Sequence, residues 1–225
     1  MAVLSRRQPP LAEHRAHLRE YLRKIALPFQ SDAGSIVRER LADEREEELI
    51  RPSLALWACT ACGGNERFAA PIAAAIYLFQ RSMQLHDELA EGRGSARWGL
   101  GQSLNAGDAL YAIAFRTLAE NVGDPRRRLA AARLVARAVL EAIEERPGAM
   151  TSAALAAGAI VAGAPESVRC RLSRIGRLLA GISKAGEAKR TRARAERAVR
   201  ALGRCRVDAP HQAAFEEFVA YLLDA

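Results

Sequence analysis

The chain has 225 residues and a mass of 24.4 kDa, enough to bury a sizeable core without disulfide or metal staples. Its 47 Ala and 26 Leu, against only 24 Val, Ile and Thr together, favour helix and argue against any fold built on a large sheet. A charged fraction of 27% beside a hydrophobic fraction of 50% excludes global disorder. The formal charge of +8 is local: residues 169–206 hold 13 Lys and Arg and two acids, Glu187 and Glu196, which leaves the remainder at −3.

Three- and four-residue spacings of Leu11, Leu18, Leu22, Ile25 and Phe29 predict a first helix over 11–30. A break at 31–35 precedes a second helix over 36–49. Arg51-Pro52 predicts an interruption, because proline is best tolerated at a helix start. A very apolar helix over 53–62 then ends at Gly63-Gly64. Residues 67–91 predict a long helix whose middle, AAPIAAAIYLFQRSMQL, is apolar nearly all round, as expected at the centre of a bundle. Gly92, Gly94, Gly99 and Gly101 mark a loop, and a helix from about 102 carries Gly107-Asp108 into LYAIAFRTL. An amphipathic helix over 126–146 and a run of small residues over 151–164, which permits close helix contact, come next. Helices over 166–182 and 187–203 carry the basic segment, and a last one over 210–223 packs through Phe215, Phe218, Val219 and Leu222. The expectation is an all-α protein, a single-domain helical bundle over 1–225 with nine or ten helices.

Four cysteines in a chain this long make no disulfide framework, and Cys59-Thr60-Ala61-Cys62, late in an apolar helix without a second such pair, reads as structural. His14, His17, His86 and His211 form no zinc spacing. No stretch has the apolar length of a signal peptide or a membrane span, so a cytoplasmic location is expected.

The chemistry-bearing cluster is His86-Asp87-Glu88-Leu89-Ala90-Glu91. On a helix Asp87 and Glu91 share a face with Glu88 beside them, a set that can hold Mg²⁺ through one or two oxygens while substrate phosphates complete its shell. An exposed acidic helix end is the alternative. Asp108, inside an otherwise apolar helix, has to be paired or face a cavity, with Arg93 or Arg97 as candidate partners. The basic segment has no aromatic residue, which argues against stacking on single-stranded nucleic acid; its basic residues are spread around the helices rather than striped.

In this order the pieces resemble the polyprenyl synthetase family, the all-helical trans-prenyltransferases that join isoprenoid diphosphates. The resemblance rests on Arg51-Pro52 before an apolar helix ending in Gly63-Gly64. It continues with His86-Asp87-Glu88-Leu89-Ala90-Glu91 at the place of the family's DDxxD, and then Arg93-Gly94, Gly99 and Gly107-Asp108. It covers 12–120 well and 149–225 loosely. It implies the isoprenoid synthase fold, a Mg²⁺ site at Asp87, Glu88 and Glu91, catalysis through Asp87 and Glu91, and substrate diphosphate contacts from Arg51 and Arg93. His86 and Asp108 are expected to be structural or adjacent to the site. Members typically dimerise, so the partners implied are an isoprenyl diphosphate and a second copy or another prenyl synthase, with nucleic acid disfavoured.

The departures are specific. The family's Gly-Lys-Arg before Arg-Pro corresponds to Glu47-Glu48-Leu49, and its central Lys-Thr to Met150-Thr151. Its second aspartate-rich motif falls where this chain reads Ser183-Lys184-Ala185-Gly186-Glu187. The resemblance therefore implies a reduced or absent Mg²⁺ site, with Lys184, Lys189 or Arg190 taking over part of the diphosphate charge. The expected function is a catalytically degenerate member acting as partner or regulator of a prenyl synthase. An active enzyme with an altered site and a basic helical binding module are the alternatives.

Overall fold

The computed structural model describes residues 11–26, 31–42, 45–93, 98–180, 182 and 188–224. These contain ten α-helices and no strand. The helices are α1 (Ala12–Ala26), α2 (Asp32–Ala42), α3 (Glu46–Ala61), α4 (Ala70–Ala90) and α5 (Leu100–Asn121), followed by α6 (Pro125–Ile143), α7 (Ala149–Ala162), α8 (Glu166–Leu179), α9 (Ala188–Leu202) and α10 (Ala209–Asp224). A single 3-10 turn, Glu66–Phe68, leads into α4. The all-α expectation holds.

The expected interruption at Arg51-Pro52 does not occur. Helix α3 starts earlier, after Arg45, whose extended backbone caps it, and Pro52 lies inside that helix. Leu49, Ile50 and Leu54 are all buried, so one apolar face runs through the proline. Burying each such side chain stabilises by about 1.5–3 kcal/mol. Three of them offset the roughly 3 kcal/mol that proline costs in a helix interior.

Helix α4 is the centre. From Ala70 to Ser82 every residue is buried, because this stretch has no polar face to offer solvent. It packs on α5 through Phe79, whose ring stands edge-on to Tyr111 at 4.9 Å and Phe115 at 5.0 Å. On the other side of the molecule α7 uses its small residues to approach α3. A β-carbon on Gly158 would stand 2.1 Å from the Ala55 carbonyl oxygen, so glycine alone permits this contact. Helix α10 docks on α3, with Trp57 against Phe215 at 5.3 Å and the Trp57 indole N–H donating to the His211 carbonyl at 3.2 Å.

Two ends of the bundle are thereby defined. At one, Glu48 near the start of α3 is ion-paired to Arg81 towards the end of α4. At the other, Phe68 lies 3.4 Å from where a β-carbon on Gly123 would sit, and Gly64 abuts Ala162 at the end of α7. Helix α4 has 21 residues, which separates these ends by about 30 Å.

The basic residues of α9 are more ordered around the helix than the sequence reading expected. Thr191, Ala195, Ala198 and Leu202 form one buried stripe, while Arg192, Arg194, Arg197 and Arg200 are exposed. Among the described residues no helix is long and apolar enough to cross a membrane. Substituting Gly158→Ala should lower stability by about 1–3 kcal/mol despite alanine's better helix propensity, because the added methyl meets backbone. A urea denaturation series would show the shift in midpoint.

Candidate functional site

The end of the bundle that carries the acidic cluster is organised around a guanidinium. Arg81 lies in the apolar helix α4 and is only 4% exposed as a side chain. Its Nη1 donates to Glu48 Oε2 at 2.6 Å and to Gln84 Oε1 at 3.1 Å, and its Nη2 donates to the Arg40 carbonyl at 3.0 Å. Arg40 in turn donates from Nη1 and Nη2 to the two carboxylate oxygens of Glu88, at 3.1 and 2.5 Å. One network therefore clamps the end of α2 and the start of α3 to the end of α4.

The acidic cluster occupies the last turn of α4, with no basic residue in that turn. Carboxylates there oppose the helix dipole by about 0.3–1 kcal/mol each, so they need cations from elsewhere. Glu88 obtains one from Arg40, and Glu91 is bonded to Arg93. Asp87 is exposed. The helix closes on a Schellman arrangement, with the Arg93 N–H donating to the Glu88 carbonyl at 2.7 Å and the Gly92 N–H to the Leu89 carbonyl at 3.0 Å. That turn fixes where Arg93 leaves the helix.

Mg²⁺ favours one or two carboxylates plus phosphate oxygens or waters over an all-protein cage. The expected trio is reduced to Asp87 and Glu91, because both oxygens of Glu88 are engaged by Arg40. Among the described residues no group of three or more His, Cys, Asp or Glu is placed to hold a metal. The remaining pair fits a cation shared with a phosphate ligand, not one held by protein alone.

Asp108 is not the buried charge that its apolar helix implied: its side chain is 76% exposed, and it faces His86, with Nε2 at 3.5 Å, instead of Arg93. A β-carbon on Gly107 would lie 2.5 Å from His86 Nε2, so the Gly-Asp pair seats the imidazole against α5. Below it, the buried Ser82 hydroxyl donates to the Gly107 carbonyl at 2.8 Å. His86 and Asp108 thus fix the α4–α5 hairpin beside the acidic turn.

Arg51 is exposed to solvent, yet protein encloses it enough for desolvation to lower its pKa from the ordinary arginine value. The positions that match the family's other cations behave differently. Glu48 neutralises Arg81, Leu49 is wholly buried, and Met150 and Thr151 are buried at the start of α7. Lys184, and the rest of 183–187, lies outside the described residues, as do Gly94 and Arg97. Lys189 and Arg190 are exposed at the start of α9.

The sequence reading missed Arg81 and Arg40. Arginine in a stretch that is otherwise apolar was the available signal for Arg81, but Glu48 is 33 residues away and Glu88 is 48 from Arg40. No local spacing joins them. The cysteine expectation fares well: desolvation pushes the Cys59 thiol up to about 12 and Cys62 up to about 11, out of the reactive range. His14 and His17 both contact Glu66, at 3.0 and 2.7 Å.

No family model matches the chain. A geranylgeranyl diphosphate synthase of Methanosarcina mazei is 26% identical over 162 residues, 58% of this chain and 50% of that protein. One of Mycobacterium tuberculosis is 36% identical over 77 residues, 31% of this chain and 22% of that protein. The matches thus span half or less of these curated relatives. The geranylgeranyl pyrophosphate synthetase of the archaeon Geoglobus acetivorans superposes with a TM-score of 0.82 at 18% identity, over 95% of this chain and 97% of that one. The fold is that of the isoprenyl diphosphate synthases. A heterotetrameric geranyl pyrophosphate synthase from mint, in a deletion-mutant form, gives a TM-score of 0.80 at 22% identity, covering 93% of this chain and 98% of the other.

Removing one partner of a buried ion pair leaves the other uncompensated, at a cost of about 3–5 kcal/mol. Glu48→Ala should therefore destabilise the isoprenoid-synthase fold by about that amount, and adding Arg81→Met should recover much of it, as read from a double-mutant denaturation cycle. A thiol reagent at neutral pH should label exposed Cys170 in the native state and reach Cys59 only on unfolding.

Proposed function

We propose that this protein is a divergent polyprenyl-synthetase-like subunit of isoprenoid biosynthesis that lacks independent prenyl transfer and acts as partner or regulator of a prenyl synthase. The observation that carries this reading is the fate of three cation positions. Glu48 is spent on Arg81, and Leu49 and Met150 are core residues, so none offers positive charge to a diphosphate. Ionising an allylic diphosphate requires charge stabilisation of the departing pyrophosphate. The sequence at 183–187 has one carboxylate, Glu187, where the related enzymes have a second aspartate-rich motif.

Asp87 and Glu91 hold a Mg²⁺ in this reading only together with phosphate oxygens, and the ion supplies charge neutralisation to the diphosphate. Arg51 and Arg93 bind the diphosphate directly, and Lys184 is the third cation assigned to it by sequence. The name of the mint enzyme says that it is heterotetrameric, which supports assembly with another chain as a mode open to this fold. An active enzyme with an altered site is the second reading, favoured by Asp87, Glu91 and Arg51 all remaining exposed.

The test is to supply isopentenyl and allylic diphosphates with Mg²⁺ to the protein alone and mixed with a co-encoded synthase. No pyrophosphate release is expected from the protein alone, and a changed rate or product length is expected in the mixture. Elongation by the protein alone, abolished in Asp87→Asn, would establish the second reading instead. Lys184→Ala should weaken diphosphate binding; unchanged affinity removes Lys184 from the site.

A further inference from the structure

At the opposite end of the bundle lies a basic recess that the acidic cluster does not explain. A cavity of about 260 Å³ lies between the starts of α6 and α8 and the end of α7, lined by Arg126, Arg127, Arg169 and the small or apolar Ala130, Ile160, Gly163 and Ala164. Three guanidinium-bearing side chains and no acidic one line it. Pockets for drug-sized molecules start at about 300 Å³, so this one suits a small polyanion.

The walls are built for a guanidinium. Arg127 is fixed by a 2.9 Å hydrogen bond from Nη1 to the Val161 carbonyl at the end of α7. Its Nη2 occupies the place where a β-carbon on Gly163 would be, 2.6 Å away, and Gly163 has the positive φ of 79° that closes α7. Asp124 offsets part of the charge, but its Oδ1 accepts the Arg127 main-chain N–H at 2.8 Å as the cap of α6. The first turns of α6 and α8 add their positive helix ends.

Arg169 completes the basic lining, half-buried in the first turn of α8. Its Nε is buried and has no hydrogen-bond partner among the described residues. A charged donor stripped of water and left without an acceptor is costly, so such groups are ordinarily satisfied. Water does not reach that Nε, so a phosphate in the recess meets the Arg169 guanidinium through the atoms that line the recess, and arginine geometry matches phosphate.

We propose that Arg126, Arg127 and Arg169 form a binding site for a phosphate or diphosphate group at the end of the bundle remote from Asp87. This site is independent of the functional reading above, since none of its residues belongs to the acidic end. Its ligand is either free inorganic pyrophosphate or the same group carried by an organic molecule.

The experiment follows arginine Nε–H resonances by NMR in chelator-treated protein, with Arg169→Gln identifying the Arg169 signal. Millimolar pyrophosphate and isopentenyl diphosphate are added separately, and thermal melts are run in parallel. A saturable shift of the Arg169 signal is expected, with a ligand-dependent rise in melting temperature. Arg126→Gln, at an exposed position that leaves the fold intact, should weaken binding about tenfold. Asp87→Asn should leave the shift unchanged. Equal responses to both ligands assign the site to the diphosphate group itself, and a response to pyrophosphate alone assigns it to the free anion. No Arg169 shift with either ligand, or a shift and affinity unaltered in Arg126→Gln, overturns the proposal.

Discussion

A guanidinium inside an apolar bundle has to be neutralised where it stands, and Arg81 sets this requirement for the whole acidic end. Its helix has no polar face through Ser82, so the counter-charge comes from other helices: Glu48 from α3 and the Arg40 carbonyl from α2. Once α2 and α3 are drawn in, Arg40 lies beside Glu88, and the acidic turn acquires its position. The carboxylates that resemble a metal-binding motif are therefore placed by an ion-pair chain whose first member is deep in the core.

This arrangement has a chemical consequence. The positions that the resemblance matches to the family's diphosphate and metal groups serve the fold here: Glu48 satisfies Arg81, Leu49 and Met150 fill the core, and Glu88 holds α2 through Arg40. What remains accessible is Asp87, Glu91, Arg51 and Arg93. An isoprenoid-synthase architecture thus accommodates polar residues that work as structural groups.

The two ends of the bundle differ in kind. At the acidic end charges are mostly cross-paired between helices, which fixes geometry and limits what an added ligand can gain. At the far end Arg127 is pinned by a carbonyl, and among the described residues no carboxylate lines the recess it shares with Arg126 and Arg169. A charge already neutralised by protein has little left to offer a ligand, whereas arginines lining a recess without a carboxylate keep theirs available.

The sequence by itself determined the all-α class, the buried character of α4, the small-residue contacts of α7 and the inertness of Cys59 and Cys62. Each follows from composition or local periodicity, which a helix reads out directly. It also showed, by order and spacing, the likeness now matched by the fold. Tertiary structure alone decided that Pro52 sits within a helix, because burial of Leu49, Ile50 and Leu54 outweighs a local preference. It alone paired His86 with Asp108 and committed Glu48 and Glu88 to Arg81 and Arg40. Those partners lie tens of residues apart, and a charge in a sequence carries no mark of which distant helix will neutralise it. The excess of positive charge at first identified only one basic segment. The structure separates Arg169, turned into a recess with Arg126 and Arg127, from the arginines of α9 that face outward.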